Sequence, residues 1–526
     1  MKTNAMRHKV VGGGIAALFL AHALFYIRAL GWDAVDDAYI SFRYAHNAIL
    51  GYGLTFNPGE RVEGFTNFLW TAMMVPFAGL GVDIGRLSIV LGVLFALGTL
   101  WLATRLARAM ALPPLVGALA ALCLAVDGSF AIWSVSGLET NLFAFLIAAG
   151  VLFYLREQQF RPAQAPAGNV SAGSNPWGGW PVSAVLFALA AMTRPEAAAV
   201  FALTVAHQAA WRLLNERRLF RLPDIVRGVV FAALFIPYWL LRWRYYHSFF
   251  PNSFYAKVAP GGPAAQIARG WHYLSQFVGV HIGWVILLPA LIALGFAIWR
   301  YARWKENPEQ PRPAPRLFGM SYLALVVVAY SAYIVYVGGD WSVGRFFVPV
   351  LTPAYLLIAA GLVDLLPARA TRAVRYGLTV AGVLFLLALA WSSSWTGEYG
   401  IFVRDFDAAR ATKAREVMGK WLKANVPPGT WIAVDAAGQV PYFSGLPAID
   451  MFGINDLHIG RLSVPTLGEG TPGHEKFDLG YIIQRGPQYV IIYGNLLDTV
   501  TEYRRSDAQW TQDARLTQFL TLYEKR

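Results

Sequence analysis

The chain has 526 residues, 56% of them apolar and 14% charged, with a formal net charge of +13, and its mean hydropathy is +0.44. An ordinary soluble domain carries about 25% charged residues, so a soluble enzyme of this size is excluded, and so is a disordered chain. The one thiol, Cys123, cannot form an intrachain disulfide.

Eleven apolar stretches follow one another along the first three quarters of the chain. They are Val10–Leu30, Arg86–Leu106, Pro113–Val126, Leu138–Leu155, Val182–Met192 and Ala197–Trp211, then Gly228–Trp243, Ile282–Trp299, Phe318–Val337, Phe346–Leu365 and Tyr376–Trp395. Stretches of this character predict membrane helices, although several are short. The first is too long for a signal-peptide core and no small-residue cleavage site follows, so an uncleaved helix is expected. Phe68–Leu80 is shorter, contains Pro76, and reads as interfacial or re-entrant. If it does not cross, the basic clusters Lys2/Arg7/Lys9, Arg212/Arg217/Arg218/Arg221/Arg227 and Arg369/Arg372/Arg375 all fall on one side. The positive-inside rule then puts the N-terminus in the cytoplasm and the C-terminus outside.

The expected fold class is a polytopic α-helical membrane protein of about 11 transmembrane helices with a C-terminal extracytoplasmic α/β domain. The boundary falls between residues 1–396 and 397–526, and the first outer loop covers 32–85. Pro162–Gly179 reads as a Pro/Ala/Gly/Ser-rich cytoplasmic linker. In the tail, Asp405–Asn425 has helical spacing, Pro427-Pro428-Gly429 marks a turn, Trp431–Val434 and Tyr489–Tyr493 read as buried strands, and Glu475–Arg485 reads as a helix.

Candidate chemistry gathers in the outer loops. Asp36 and Asp37 stand just beyond the first helix. One Asp there is an ordinary helix cap, but two exceed what a cap needs. The following helix would carry Tyr39, Arg43 and Asn47 on one stripe, with Arg43 able to bind a phosphate or simply to pair with either Asp. Glu63, Thr66 and Asn67 lie together at a helix start that runs into Trp70; Thr66 or Asn67 would also serve as a cap. Glu139 opens another span, where the helix dipole favours an acid. Thr193-Arg194-Pro195-Glu196 interrupts two short apolar segments and leaves Arg194 and Glu196 near membrane depth, where ionisable groups are costly and functional by default. Asn252, Tyr255 and Lys257 follow the seventh stretch, and Asp340 and Arg345 lie between the ninth and tenth. Lys257, Arg194 and Arg345 offer three cations to an outer cavity, or snorkel to lipid headgroups. In the tail, Gly473-His474-Glu475-Lys476 either reaches over the site or starts a surface helix, and Asp435, Asp450 and His458 are weaker candidates.

No P-loop, no GxSxG elbow and no zinc-spaced His/Cys set is present. Nucleotide donors are not supplied outside the cytoplasmic membrane, so group transfer there needs a donor delivered within the lipid. A polyprenyl-phosphate sugar fits. Its leaving phosphate needs cations, the acceptor hydroxyl needs one carboxylate base, and direct displacement inverts the anomeric carbon.

Asp36-Asp37-Ala-Tyr-Ile-Ser-Phe-Arg-Tyr-Ala, Phe-Asn-Pro-Gly-Glu-Arg-Val-Glu-Gly-Phe-Thr-Asn-Phe-Leu-Trp70, Ser136-Gly-Leu-Glu139, Thr193-Arg-Pro-Glu196, Pro251-Asn-Ser-Phe-Tyr-Ala-Lys257, the Gly339-Asp340-Trp and Gly344-Arg345-Phe-Phe pair, and Gly473-His-Glu-Lys476 run from the first loop into the tail. They resemble the GT-C class of lipid-phosphate-sugar glycosyltransferases, and within it the family of the mycobacterial terminal β-(1→2) arabinofuranosyltransferase and its proteobacterial relatives. The resemblance implies a decaprenyl- or undecaprenyl-phosphoryl arabinofuranose donor, inversion, and a catalytic Asp in the first outer loop. That role falls on Asp36 or Asp37, with Asp36 slightly preferred. Arg43, Arg194, Lys257, Arg345, His474 and Lys476 are the expected donor-phosphate residues. Tyr39, Glu63, Thr66, Asn67, Trp70, Glu139, Glu196, Asn252, Tyr255 and Asp340 are the expected substrate-binding residues.

The acceptor would be a hydroxyl of a cell-envelope glycan or glycoprotein, at the outer face of a bacterial inner membrane, with the bilayer as the other partner and no nucleic acid. No cofactor is required, although two adjacent acids could hold a divalent cation. Two other readings compete. A flippase for lipid-linked sugar would show inverted repeats and midplane breaks, and a non-catalytic assembly protein would act through its tail alone.

Overall fold

The computed structural model describes residues 2–158, 180–258, 264–281, 284, 287–306, 314–342, 344–366, 371–392 and 415–491. α1 (Lys2–Leu30) leads into a first loop that carries α2 (Asp36–Ile49) and the 12-residue α3 (Phe68–Gly79). α4 (Ile84–Ala109) starts where the Asp83 carboxylate accepts the Arg86 amide at 3.1 Å, the usual device for satisfying a helix start. α5 (Pro114–Val126) ends at Asp127, whose side chain caps α6 (Gly128–Ser134) by accepting the Phe130 amide at 2.8 Å. The two helices meet at 64°, so the stretch read as Pro113–Val126 is one arm of a bent pair.

α7 (Thr140–Arg156) and α8 (Val182–Thr193) follow. The expected linker at 162–179 lies outside the described residues. α8 stops because Pro195 drives Arg194 into the extended region, φ −148° and ψ 124°. Then come α9 (Ala197–Glu216), α10 (Leu222–Tyr246), α11 (Asn252–Lys257), α12 (Ala264–Val280), α13 (Leu287–Glu306), α14 (Ala314–Val337), a 3-10 turn at Arg345–Phe347, α15 (Val348–Asp364) and α16 (Arg372–Ser392). A helix thus stands at each of the eleven apolar stretches. Among the described residues, six helices are long and apolar enough to cross a membrane, or seven if α5 and α6 form one span. α12 stands outside the eleven apolar stretches.

The helices pack through small residues. Gly361 of α15 sits so close to α13 that a Cβ there would meet the Pro289 carbonyl at 1.7 Å, an approach that only glycine permits.

The tail contributes α17 (415–425), β1 (Ile432–Val434), α18 (Gln439–Ser444), β2 (Ala448–Asp450), α19 (Leu457–Gly460), α20 (Leu479–Arg485) and β3 (Tyr489–Ile491). The strands form a parallel sheet in the order β2-β1-β3, with Ile432 opposite Ala448 and Tyr489. β1 and β3 fall where strands were expected, and 492–493 lie outside the described residues, as does 405–414 of the expected helix. β2 was not anticipated; three residues between Pro447 and a turn carry no legible period. α20 begins at Leu479, four residues later than expected, because Asp478 caps it through the Tyr481 amide at 2.9 Å.

Strand alternation splits the sheet's contacts. Ile432 and Val434 join a core shared with the first loop, through Ile40, Tyr44 and Phe56 of the loop and Met418 and Val440 of the tail. Ala433 and Ile449 face Ile459 and Ile482 on the other side. Arg43 crosses the first of these cores. Its guanidinium donates to the carbonyls of Phe56 and Leu446 at 2.7 Å each, to Asn57 Oδ1 at 3.2 Å, and to the Pro441 carbonyl. It is buried with no carboxylate partner among the described residues, and burial pushes its pKa down to about 9.

Arg43→Lys keeps a cation but cannot span four oxygens on two segments. It is expected to destabilise the junction of loop and tail by about 2–4 kcal/mol, the cost of leaving buried acceptors unpaired. Thermal unfolding and limited proteolysis of the tail in the purified protein measure the loss; an unchanged midpoint would contradict it.

Candidate active site

α2 places two adjacent carboxylates on different errands, because successive helical residues diverge by roughly 100°. Asp36 is buried and turns to the tail, accepting the amides of Gly438 at 3.1 Å and Gln439 at 2.9 Å, with Arg415 at 3.9 Å. A Cβ on Gly438 would lie 1.9 Å from the Asp36 carbonyl, so this contact requires glycine. Asp37 turns the other way, into a cavity of about 320 Å³, and keeps 36% side-chain exposure there.

Three polar strands of the cavity wall converge on Asp37. Arg345, in the turn after Gly344 (φ +86°), reaches Asp37 Oδ2 at 3.5 Å and Asp340 Oδ2 at 3.3 Å. Lys257 closes α11 and lines the same cavity. Arg194 is bonded to Glu139 at 2.8 Å and Glu196 at 2.7 Å, with its guanidinium over the Phe346 ring at 4.9 Å. Asn67 joins this group by donating to Glu139 at 2.7 Å while accepting from Ser41 at 2.9 Å. Phe250, Phe254, Val258, Val337 and Phe346 form an apolar side, and the buried Ser253 hydroxyl has no hydrogen-bond partner among the described residues.

Charge divides the cations by task. Arg194 is neutralised by two acids, whereas Lys257 forms no ion pair among the described residues and Arg345 is shared between Asp37 and Asp340. Burial acts to raise the Asp37 pKa, but Arg345, Lys257, His474 and a hydrogen bond from Trp341 outweigh it, and the net shift is downward. Asp36 moves the other way, raised chiefly by burial and only partly relieved by Arg415 and the Gln439 amide. Neighbouring acids pushed apart in this way take different roles.

Of the residues singled out in the sequence, Asp37, Thr66, Asn67, Glu139, Arg194, Glu196, Lys257 and Arg345 line the cavity. Asp340 is buried behind Arg345, and the exposed His474 acts on Asp37 through its field. The others are placed differently. Asp36, slightly preferred over Asp37 on the sequence, does not line this cavity, and its carboxylate is engaged by backbone amides. The two acids also diverge, so they do not frame one cation site. The expected stripe of Tyr39, Arg43 and Asn47 faces protein: Tyr39 packs on Phe42, Tyr442 and Phe443, and Asn47 donates to the Thr55 and Phe56 carbonyls. Arg43 therefore braces the loop against the tail and does not line the cavity. Glu63 pairs with Arg242 at 2.9 Å outside the cavity, and Trp70 donates to the Gly137 carbonyl at 3.1 Å. Asn252 bonds the carbonyls of Gly453 and Asp456. Lys476 is spent on the carbonyls of Tyr255 and Gly460, and Tyr255 carries Arg461 on its ring at 5.0 Å.

The sequence reading missed Ser41, Ser253, Tyr333, Trp341 and the apolar wall. Ser41 was legible, lying one helical turn after Asp37. Tyr333 sits inside α14 with nothing local to mark it.

Comparison with known proteins places this architecture. ArnT from Cupriavidus metallidurans, solved bound to undecaprenyl phosphate, superposes with a TM-score of 0.52 at 14% identity, covering 94% of this chain and 95% of that one. The oligosaccharyltransferase AglB from Archaeoglobus fulgidus, in complex with an inhibitory peptide and a dolichol-phosphate, gives 0.55 at 13% identity over 97% of this chain and 72% of that one. This is the GT-C fold. The chain is accordingly a multi-pass membrane protein. In sequence it is 28% identical over 397 residues to the terminal β-(1→2)-arabinofuranosyltransferase of Corynebacterium glutamicum, which spans 70% of this chain and 54% of the relative. The family resemblance drawn from the motifs is thus borne out, while the chain spans about half the length of the curated relative it matches. The tail, residues 404–525, matches a family model described as a domain of unknown function, DUF8728.

Glu139→Gln removes one of the two charges that hold Arg194. Arg194 keeps Glu196 as its counter-ion, so the loss is that of one buried charge-assisted hydrogen bond, about 1.5–3 kcal/mol. A lower thermal midpoint is expected, falling further with the second change Arg194→Gln, which strips the buried Glu196 of its cation; a wild-type midpoint in the single variant would show that the pair contributes nothing.

Proposed function

We propose that the chain is an inverting membrane glycosyltransferase. Asp37 takes the proton from an acceptor hydroxyl while Lys257 and Arg345 hold the phosphate of a polyprenyl-phosphate sugar. The observation that carries this reading is one cavity in which a carboxylate, a cation with no ion pair among the described residues, a second shared cation and an apolar wall meet. The cations match a monophosphate, the phenylalanines beside them match the start of a prenyl chain, and the Ser253 hydroxyl, with no hydrogen-bond partner among the described residues, matches a ligand rich in hydroxyl groups. Likeness to ArnT and AglB, whose structures hold lipid phosphates, supports a lipid-phosphate donor. Likeness to an arabinofuranosyltransferase supports arabinofuranose as the sugar.

In the proposed step the acceptor oxygen attacks the anomeric carbon as the bond from that carbon to the phosphate oxygen breaks. The bonding pair leaves with the prenyl phosphate, the proton goes to Asp37, and the configuration inverts. Lys257 and Arg345 stabilise the charge gathering on the leaving phosphate. These same cations favour the ionised form of Asp37. A bound phosphate competes for them, so Asp37 becomes a stronger base when the donor arrives. The acceptor is a hydroxyl of a cell-envelope glycan or glycoprotein, and the site faces the outer side of a bacterial inner membrane. That reading makes the sheet-bearing tail, within 397–526, extracytoplasmic and the helices within 1–396 the catalytic body.

Asp37→Asn is expected to lower transfer by about 100- to 10,000-fold, the usual worth of a general base, with retained binding of prenyl phosphate. Asp36→Asn should instead loosen the tail and lower the thermal midpoint. A membrane assay with synthetic prenyl-phosphate pentoses and hexoses, followed by linkage analysis of the product, decides the sugar. Full activity in Asp37→Asn would end the base assignment.

The pH dependence follows from the sign of the Asp37 shift. Its depressed pKa puts the acidic limb of kcat/KM below the ordinary carboxylate range, since that profile reports the free enzyme. Lys257→Gln removes a charge favouring the ionised form, so the pKa rises and activity is lost at higher pH than in the parent. A limb that stays put in Lys257→Gln would mean that another group is being titrated.

A further inference from the structure

A second and larger cavity, about 660 Å³, opens between the first loop and the tail. Arg61, Asp456, His458, Arg461, Tyr481 and Arg485 are among its lining residues. It is separated from the Asp37 cavity by a thin wall. Val62 and Asp456 face the outer cavity, while Gly64 and Ile454 face the inner one. The wall is fixed by Asn252, whose amide donates to the Glu63 carbonyl at 2.8 Å and whose side chain donates to Gly453 and Asp456.

The charges of the outer cavity do not balance locally. Glu60 is taken by Arg485 at 2.8 Å and by Asn57 at 2.9 Å. Asp456 accepts from the Tyr481 hydroxyl at 2.9 Å and from the Ile459 amide at 3.0 Å. Arg61 and Arg461 are exposed and have no carboxylate partner among the described residues. Each lies on an aromatic face, Arg61 over Tyr245 at 4.8 Å and Arg461 over Tyr255 at 5.0 Å, and Arg461 also donates to Ser248 Oγ. A guanidinium stacked in this way is held in place with the edge of its donor fork open, the arrangement that suits a carboxylate or phosphate. A flat platform lines the same cavity, the His458 and Tyr481 rings stacked at 4.2 Å and 22°.

We propose that the outer cavity binds an acidic saccharide, with Arg61 and Arg461 holding the carboxylate or phosphate of one sugar and the platform supporting its neighbours. Its place across the wall from Asp37 makes this saccharide the acceptor, a step that rests on the transferase reading. The site therefore selects acceptors by a charged sugar distant from the hydroxyl that reacts.

The test reads binding without turnover. The full chain in lipid nanodiscs is titrated with a galacturonic acid trisaccharide and with its neutral galactose counterpart. The acidic trimer should bind about tenfold or more tightly than the neutral one. Arg61→Gln with Arg461→Gln should abolish that preference, the double lysine variant should recover part of it, and Asp37→Asn should leave it intact. Equal binding of both trimers, no detectable binding of the acidic trimer, or a preference that survives the double glutamine variant each overturns the proposal. If the trimer fails to bind while transfer persists, the subsite is wrong and the transferase reading stands. If the trimer binds as stated while Asp37→Asn retains transfer, the base assignment fails and the saccharide site stands.

Discussion

The carboxylate of Asp36 against the amides of Gly438 and Gln439 is the contact on which the rest of the site depends. It joins residues four hundred positions apart and fixes how α2 is rotated about its own axis. Once that rotation is set, helical geometry leaves the next residue no choice. Asp37 is carried to another face and into the cavity, Ser41 follows it one turn later, and the Tyr39, Arg43 and Asn47 stripe is turned against protein. The tail thus acts on the site without supplying the carboxylate, by orienting the helix that does.

The cavity is organised by a division of its cations. Arg194 is enclosed by Glu139 and Glu196, its charge more than balanced by the two acids, and ties the end of α8 to the starts of α7 and α9. A buried cation with two acids has little attraction left for an incoming anion. Arg345 and Lys257 are less fully compensated and stand next to Asp37, so an anionic group entering the cavity meets them and the carboxylate together. The Gly344-Arg345-Phe346-Phe347 turn is itself clamped by rings of α12, with Phe277 stacked on Phe347 at 4.2 Å and Tyr273 at 5.6 Å. α12 is thereby part of the apparatus that holds Arg345, although none of its residues lines the cavity.

The tail reaches the outer edge of this arrangement from a second direction. Arg269 on α12 bonds Glu475 at 2.8 Å, and the Gly473 backbone lies against Lys257. The loop that carries His474 is therefore anchored beside the cavity mouth, which accounts for the electrostatic effect of an exposed histidine on Asp37. In the proposed reaction the tail has two parts to play, rotating α2 from one side and bounding the entry from the other.

From the sequence alone follow the membrane class, the positions of eleven helical stretches, strands at 432–434 and 489–491, and the set of loops from which the cavity is built. These are properties of composition and local period, and burial of apolar runs enforces them wherever the chain folds. It also marked the right neighbourhood for chemistry, since charged residues at membrane depth are too costly to be accidental. What it left open was direction. Asp36 and Asp37 are identical in type and adjacent in the chain, and Arg43 and Arg345 are both arginines in charged loops. Which of them faces a ligand and which a carbonyl depends on partners such as Gly438, Leu446 and Asp340, remote in sequence and brought near only by folding. The tertiary structure decided those questions because a side chain's task is set by whatever lies opposite it, and no local pattern encodes the far side of a contact.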